Sequence, residues 1–167
     1  MIPAQLLARR LAESGHMVIT GGGPGIMQAV NEGAGPDHSF GVKIKLPFEA
    51  NANHVLTDNP RLINYKYFFT RKLMLIKESH AFVCLPGGFG TLDEMFETLT
   101  LVQTGKINTF PCVAMGQEYW KPMIEFAIES MLREGTVDPD EVKIEITDSP
   151  EQAVAYIQRE IRRTNTS

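Results

Sequence analysis

Residues 85–97, LPGGFGTLDEMFE, decide the fold. An apolar run, residues 81–85, enters this stretch as a buried strand, and a helix leaves it with Leu92, Met95, Phe96 and Leu99 at helical spacing. Between the two, Pro86, Gly87, Gly88 and Gly90 make a turn with almost no side-chain bulk. Such a turn lets a ligand sit against bare N–H groups at a helix start, where unpaired donors and the helix dipole favour an anion. Phosphate is the anion this chemistry selects. Thr91 and Glu94 carry two readings: spaced T-x-x-E, they fit a capping box that only closes the helix start, or Glu94 is a working carboxylate beside the ligand. The residues alone leave the two level.

A second unit of the same kind lies upstream. Residues 16–20 have strand character, Gly21-Gly22-Gly23-Pro24-Gly25 follows, and a helix runs through Met27 and Val30 to about Gly33. In an open parallel sheet such turns gather at the carboxyl ends of the strands, where ligands bind. This one lacks the Lys-Ser/Thr of a P-loop and the spacing of a dinucleotide fingerprint, and its glycines also suit tight helix packing.

The rest of the chain alternates in the same way. Residues 3–14 read as a helix ended by Gly15, with Leu6, Leu7 and Leu11 on one side, and residues 41–46 as a strand alternating Val42, Ile44 and Leu46 with solvent-facing Lys43 and Lys45. Residues 47–59, with Glu49, Asn51, Asn53 and His54, read as a solvent-facing loop long enough to help roof a pocket, and His54 as an ordinary loop histidine. From Tyr65 an aromatic and apolar helix begins, interrupted by Arg71 and Lys72. Snorkelling to solvent is the better reading of these two from sequence, the alternative being an Arg71 that turns its charged fork on a ligand. Further strands are expected at residues 111–115 and 143–146, and further helices at residues 120–134 and after Ser149-Pro150-Glu151-Gln152, where Ser caps, Pro opens and Gln closes a box. Alternation this regular predicts an α/β fold, an open and mainly parallel sheet with helices on both faces.

Composition narrows the function classes. At 167 residues and 43% hydrophobic, the chain reads as one domain with a sizeable core. A net charge of -4 argues against a general nucleic-acid or anionic-membrane surface and leaves small ligands open. Cys84 and Cys112 fall in apolar runs and read as core thiols of a reducing compartment, with no disulfide and no metal. A cytoplasmic protein is the expectation, with Trp120 a core or interface anchor and residues 164–167 a disordered tail.

Three motifs in this order, TGGGPGIM at 20–27, TRK at 70–72 and PGGFGTLDE at 86–94, resemble the LOG family. Its members were once labelled possible lysine decarboxylases and are known as cytokinin riboside 5'-monophosphate phosphoribohydrolases. The resemblance covers nearly the whole chain. It implies a Rossmann-like fold over residues 1–163, a homodimer or higher assembly with sites near the subunit interface, and hydrolysis of the N-glycosidic bond of a nucleoside monophosphate. The family's catalytic Arg matches Arg71 and its catalytic Glu matches Glu94; its phosphate-binding residues match Gly87, Gly88, Gly90 and Thr91. Lys72, Gly22 and Gly23 join the candidate binding set. Family members usually carry a strand and a Gly-Ser turn ahead of the first helix, whereas this sequence starts almost inside that helix, so the first strand is expected to be absent. The segment LPFEANANHVLTDNP at 46–60 differs from the shorter plant-like version, which leaves AMP as fitting a substrate as a prenylated riboside monophosphate.

The expected chemistry needs no cofactor. Breaking the bond from ribose C1' to a base nitrogen puts oxocarbenium character on the sugar, which a carboxylate such as Glu94 can stabilise while activating water. Arg71 is too basic to donate a proton and takes an electrostatic role. Decarboxylation would call for a Schiff-base lysine in a pyridoxal phosphate setting, and no lysine here has one. The competing reading is a nucleotide- or cofactor-binding carrier that does no chemistry.

Overall fold

Glycine turns separate strand from helix throughout the computed structural model, which describes residues 2–44, 51–107, 110–141 and 143–164. The chain divides between Ser79 and His80 into two compact units. Among the described residues each unit holds three α-helices and one all-parallel three-stranded sheet. The result is the open α/β fold expected.

The first unit runs α1 (Pro3–Glu13), β1 (Val18–Thr20), α2 (Ile26–Ala34), β2 (Ser39–Ile44), β3 (Leu62–Tyr65) and α3 (Phe68–Lys77), with sheet order β1-β2-β3. Its apolar core joins Ala8 of α1, Val18 of β1 and Ala34 of α2, with Leu11 and Val30 against them. Gly33 has no room for a side chain, because a Cβ there would overlap the Gln5 carbonyl, and this lets α1 and α2 touch backbone to backbone. Residues 45 and 46 of the expected second strand, Glu49 of the expected loop and residues 165–167 of the expected tail lie outside the described residues.

Two findings in this unit depart from expectation. β3 falls in what reads as the approach to a helix; it is half exposed, and it exists through its ladder to β2, Gly41 to Leu62 and Ile44 to Tyr65, a pairing that local sequence does not encode. The preceding segment is also less solvent-facing than its polarity predicts, since Asn53 and Leu56 are both buried. Gly41 makes the space: a Cβ there would sit 2.6 Å from Leu56 Cδ1 and 2.8 Å from Leu62 Cδ1.

The second unit is an uninterrupted βαβαβα run: β4 (Phe82–Cys84), α4 (Phe89–Gln103), β5 (Cys112–Met115), α5 (Gln117–Arg133), β6 (Ile144–Thr147) and α6 (Pro150–Thr164), in sheet order β4-β5-β6. All four residues of β5 are buried, as a central parallel strand covered on both faces must be. Cys84, Met95, Cys112, Ala114, Trp120 and Ile124 form the core, so Trp120 is a core anchor and both cysteines are free and buried.

Two helix starts in this unit differ from the sequence reading. α5 begins three residues early, because Asp148, just past β6, accepts the Gln117 N–H through Oδ1 at 2.8 Å. At α6, Ser149 caps as expected, its Oγ accepting the Gln152 N–H at 3.2 Å. The Gln152 side chain does not close the box: its Oε1 accepts the Thr147 hydroxyl at 2.7 Å, and Thr147 Oγ1 in turn takes the Ser149 N–H at 3.0 Å.

Candidate functional site

The sequence-predicted site residues divide between the units: Gly22, Gly23, Arg71 and Lys72 in the first, Gly87, Gly88, Gly90, Thr91 and Glu94 in the second. In the first unit the glycine turn after β1 is stitched down. Gly22, at φ +73°, donates its N–H to Thr20 Oγ1 at 3.0 Å and accepts the Asn53 N–H on its carbonyl at 2.9 Å. Beneath it lies a polar cluster that sequence reasoning missed. Asn31, fully buried on α2, accepts on its Oδ1 both the Thr20 hydroxyl at 2.9 Å and Asn53 Nδ2 at 3.0 Å, and Asn53 Nδ2 also reaches the Gly23 carbonyl at 3.1 Å. A buried polar network of this kind fixes a backbone shape, since losing one member leaves the others unpaired in a dry interior. The only hint in the sequence is an Asn in an otherwise apolar helix face.

Arg71 does not snorkel. It is half-buried on α3, its guanidinium carbon lies 4.9 Å from the Phe68 ring centroid, and its Nη1 is 3.9 Å from where a Gly21 Cβ would stand. A permanent cation is thereby set against the backbone of the first glycine turn. Its neighbour Lys72 is half-buried on the same helix.

The second turn is built on the opposite plan. α4 starts at Phe89 with Gly88 as its cap residue in extended conformation, φ -92° and ψ -161°, and no side chain caps it. Thr91 and Glu94 therefore do not form the capping box: the helix begins two residues before Thr91, whose own N–H already bonds the Gly88 carbonyl at 3.0 Å. Freed from capping, the Thr91 side chain folds back over Gly87, where any Cβ would collide with its Oγ1. Among the described residues the N–H groups of Gly88, Phe89 and Gly90 find no acceptor, and a Cβ added at Gly88 or Gly90 would meet no atom within 4 Å. Open donors at a helix start with a hydroxyl beside them are the parts of an anion site.

Glu94 is half-buried at the sixth position of α4, and its charge adds slightly to the upward shift of the Cys84 thiol at the end of β4. The Cys84 thiol is pushed far above its ordinary range, first by its hydrogen bond with Cys112, then by burial, then by the Cys112 and Glu94 charges. It stays a thiol and is no nucleophile. An apolar groove of this unit, lined by Met95, Leu99, Ile124, Ile128 and Met131, has the Gln103–Glu141 hydrogen bond (2.9 Å) at its edge and does not include the glycine turn. There Glu141 is held below the usual carboxylate range, by the Asp138 N–H first and Gln103 second. Among the described residues no three His, Cys, Asp or Glu side chains gather as metal ligands would, and no helix is long and apolar enough to cross a membrane.

Comparison with known proteins covers nearly the whole chain. Residues 25–157 match the family described as "possible lysine decarboxylase". A probable cytokinin riboside 5'-monophosphate phosphoribohydrolase of rice, Oryza sativa subsp. japonica, is 29% identical over 92% of this chain and 76% of its own length. A second of that description from rice is 30% identical over 81% of this chain and 53% of its own length. The cytokinin riboside 5'-monophosphate phosphoribohydrolase of Rhodococcoides fascians is 40% identical over 41% of this chain and 34% of its own length. The chain thus spans about half or less of two of these three relatives. Among solved structures, a molybdenum cofactor binding protein from Rippkaea orientalis superposes with TM-score 0.64 at 19% identity, covering 95% of this chain and 86% of that one. A structural-genomics target superposes at 0.62 and 23%, covering 93% and 85%. These two show a shared fold.

Proposed function

The chain belongs to the LOG family, matched under the description "possible lysine decarboxylase", and from that premise we propose that it is a nucleoside 5'-monophosphate phosphoribohydrolase. The substrate is AMP or a prenylated adenosine monophosphate, and the products are the free base and ribose 5-phosphate. The observation that carries the reading is the second glycine turn: unclaimed N–H groups at Gly88, Phe89 and Gly90, the Thr91 side chain folded over Gly87, and a carboxylate at the sixth position of the same helix. The names of the relatives supply the bond that is cut.

In this reading the 5'-phosphate binds the turn and Thr91, and energy from that remote contact orients the sugar. As the C1'–N bond breaks, its electron pair leaves with the base, which takes up a proton, and positive charge grows on the ribose. The Glu94 carboxylate stabilises that charge and accepts a proton from the water whose oxygen bonds to C1'. Arg71 acts electrostatically and with Lys72 belongs to the binding set, along with Gly22 and Gly23; the Gly22 N–H is already committed to Thr20, so that residue contributes shape. No metal or redox group takes part. Exposed aromatic side chains in both units, Phe69 at 71%, Phe89 at 89% and Phe126 at 73%, support a homodimer or higher assembly that covers them. The place of action is the cytoplasm.

Incubating the purified protein with AMP and separating the products tests the reading. Free adenine and ribose 5-phosphate in equal amounts are expected, and Glu94→Gln should stop their release while ribose 5-phosphate still binds. A Glu94→Gln variant with full activity would remove the assigned carboxylate.

A further inference from the structure

Tyr119, in the first turn of α5, donates its hydroxyl to the Gly87 carbonyl. We propose that Tyr119 is a positioning residue for the phosphate grip, holding the Gly87–Gly88 peptide in the one orientation that offers the Gly88 N–H to an anion; the inference rests on reading that turn as the phosphate site. The argument starts from peptide geometry. In a planar trans peptide the C=O of one residue and the N–H of the next point in opposite directions, so fixing one fixes the other. With the Gly87 carbonyl drawn toward α5, the Gly88 N–H must point away from α5, and there it meets no acceptor among the described residues.

This peptide is the one that most needs holding. A peptide unit flips by rotating ψ of the residue before it and φ of the residue after it, and both flanking residues here are glycine, which reaches the flipped values at little steric cost. The brace comes from the start of α5, which is itself pinned at several points. The Tyr119 ring stands edge-on to Trp120, with centroids 5.0 Å apart, and Trp120 is fully buried in the core. Gly116, at φ +104°, closes on Pro86, with room for a Cβ only 3.1 Å from Pro86 Cγ. The Gln117 N–H is tied to Asp148. The hydroxyl that grips Gly87 therefore hangs from a rigid support, and it needs no contact with substrate to act.

Removing only the oxygen tests this. In Tyr119→Phe the ring keeps its place on Trp120 while the carbonyl loses its donor, and the peptide samples both orientations. Apparent affinity falls by the fraction left competent. Losing one exposed neutral hydrogen bond shifts the balance of the two orientations by roughly fivefold, so KM for AMP and the dissociation constant of ribose 5-phosphate both rise about two- to fivefold. The expected companions are a kcat within about twofold, an unchanged slow rate on adenosine, which has no phosphate to lose, and a melting temperature within about 2 °C, since one exposed neutral hydrogen bond is removed. Wild-type binding of ribose 5-phosphate with an unchanged constant in Tyr119→Phe would overturn the positioning role and leave the phosphate turn standing. A fall in kcat and melting temperature without a change in KM would also overturn it, in favour of a merely structural tyrosine. A wild-type protein that neither binds ribose 5-phosphate nor cleaves AMP would overturn both readings at once.

Discussion

The two glycine turns look alike in sequence and are opposites in structure. The turn after β1 spends its polar groups on itself: Gly22 donates to Thr20 and accepts from Asn53, and the fully buried Asn31 ties the two side chains together below. The turn after β4 leaves the N–H groups of Gly88, Phe89 and Gly90 to the outside and is held by Tyr119 on its carbonyl side. The contrast sharpens at one position. Asn31 and Glu94 are each the sixth residue of the helix that follows, counted from Ile26 and from Phe89; Asn31 accepts the hydroxyl of Thr20, the last residue of the preceding strand, whereas Glu94 adds only a small electrostatic push to the Cys84 thiol. At that position α2 places an amide in a buried hydrogen-bond network, whereas α4 places a half-buried carboxylate there. Counting glycines therefore does not identify a binding turn; asking where the N–H groups go does.

The largest expected effect lies at that shared position. Glu94→Gln should cut adenine release by about 10²- to 10⁴-fold, the range for removing a general base, with ribose 5-phosphate binding within about twofold. Its counterpart, Asn31→Ala, acts on stability: stranding the Thr20 hydroxyl and one Asn53 bond in the interior should cost about 2–3 kcal/mol, read as a lower urea midpoint. If Asn31→Ala proved neutral in stability, the first turn would not be the stitched structure described.

Much of this contrast was invisible in the sequence, for physical reasons. Strands and helices whose periodicity is local, such as α1, α4 and β5, are found where expected, and so is the fold class. β3 is not legible because Leu62–Tyr65 becomes a strand only through its register with β2. The capping box is not formed because the helix starts at Phe89, two residues before Thr91, and the Thr91 side chain lies over Gly87 instead. Arg71 read as snorkelling, since no local pattern shows that α3 turns it onto the first glycine turn. Asn31 and Asn53, 22 residues apart, meet only in the folded chain. Motif residues were legible; the groups that hold them were not.

Smaller effects separate the turns further. Gly22→Ala forces a side chain into positive φ, 3.4 Å from Leu56, and should cost about 1–2 kcal/mol. Gly88→Ala, in extended backbone and open space, should change the unfolding free energy by less than about 0.5 kcal/mol. The smallest effect concerns Cys84, whose raised pKa means that the folded protein keeps its proton after the unfolded chain has lost it. Its contribution to stability is intact below the ordinary thiol range and declines as pH rises above it. Native protein should resist iodoacetamide at pH 8 at Cys84. Glu94→Gln should leave that resistance unchanged, because Glu94 is the least of the causes.

The most direct test of the whole account compares adenine release from AMP and from adenosine at equal concentration. If the second turn grips the phosphate, AMP is cleaved about a hundredfold faster or more, the worth of two charge-assisted hydrogen bonds. Equal rates on the two substrates would contradict it.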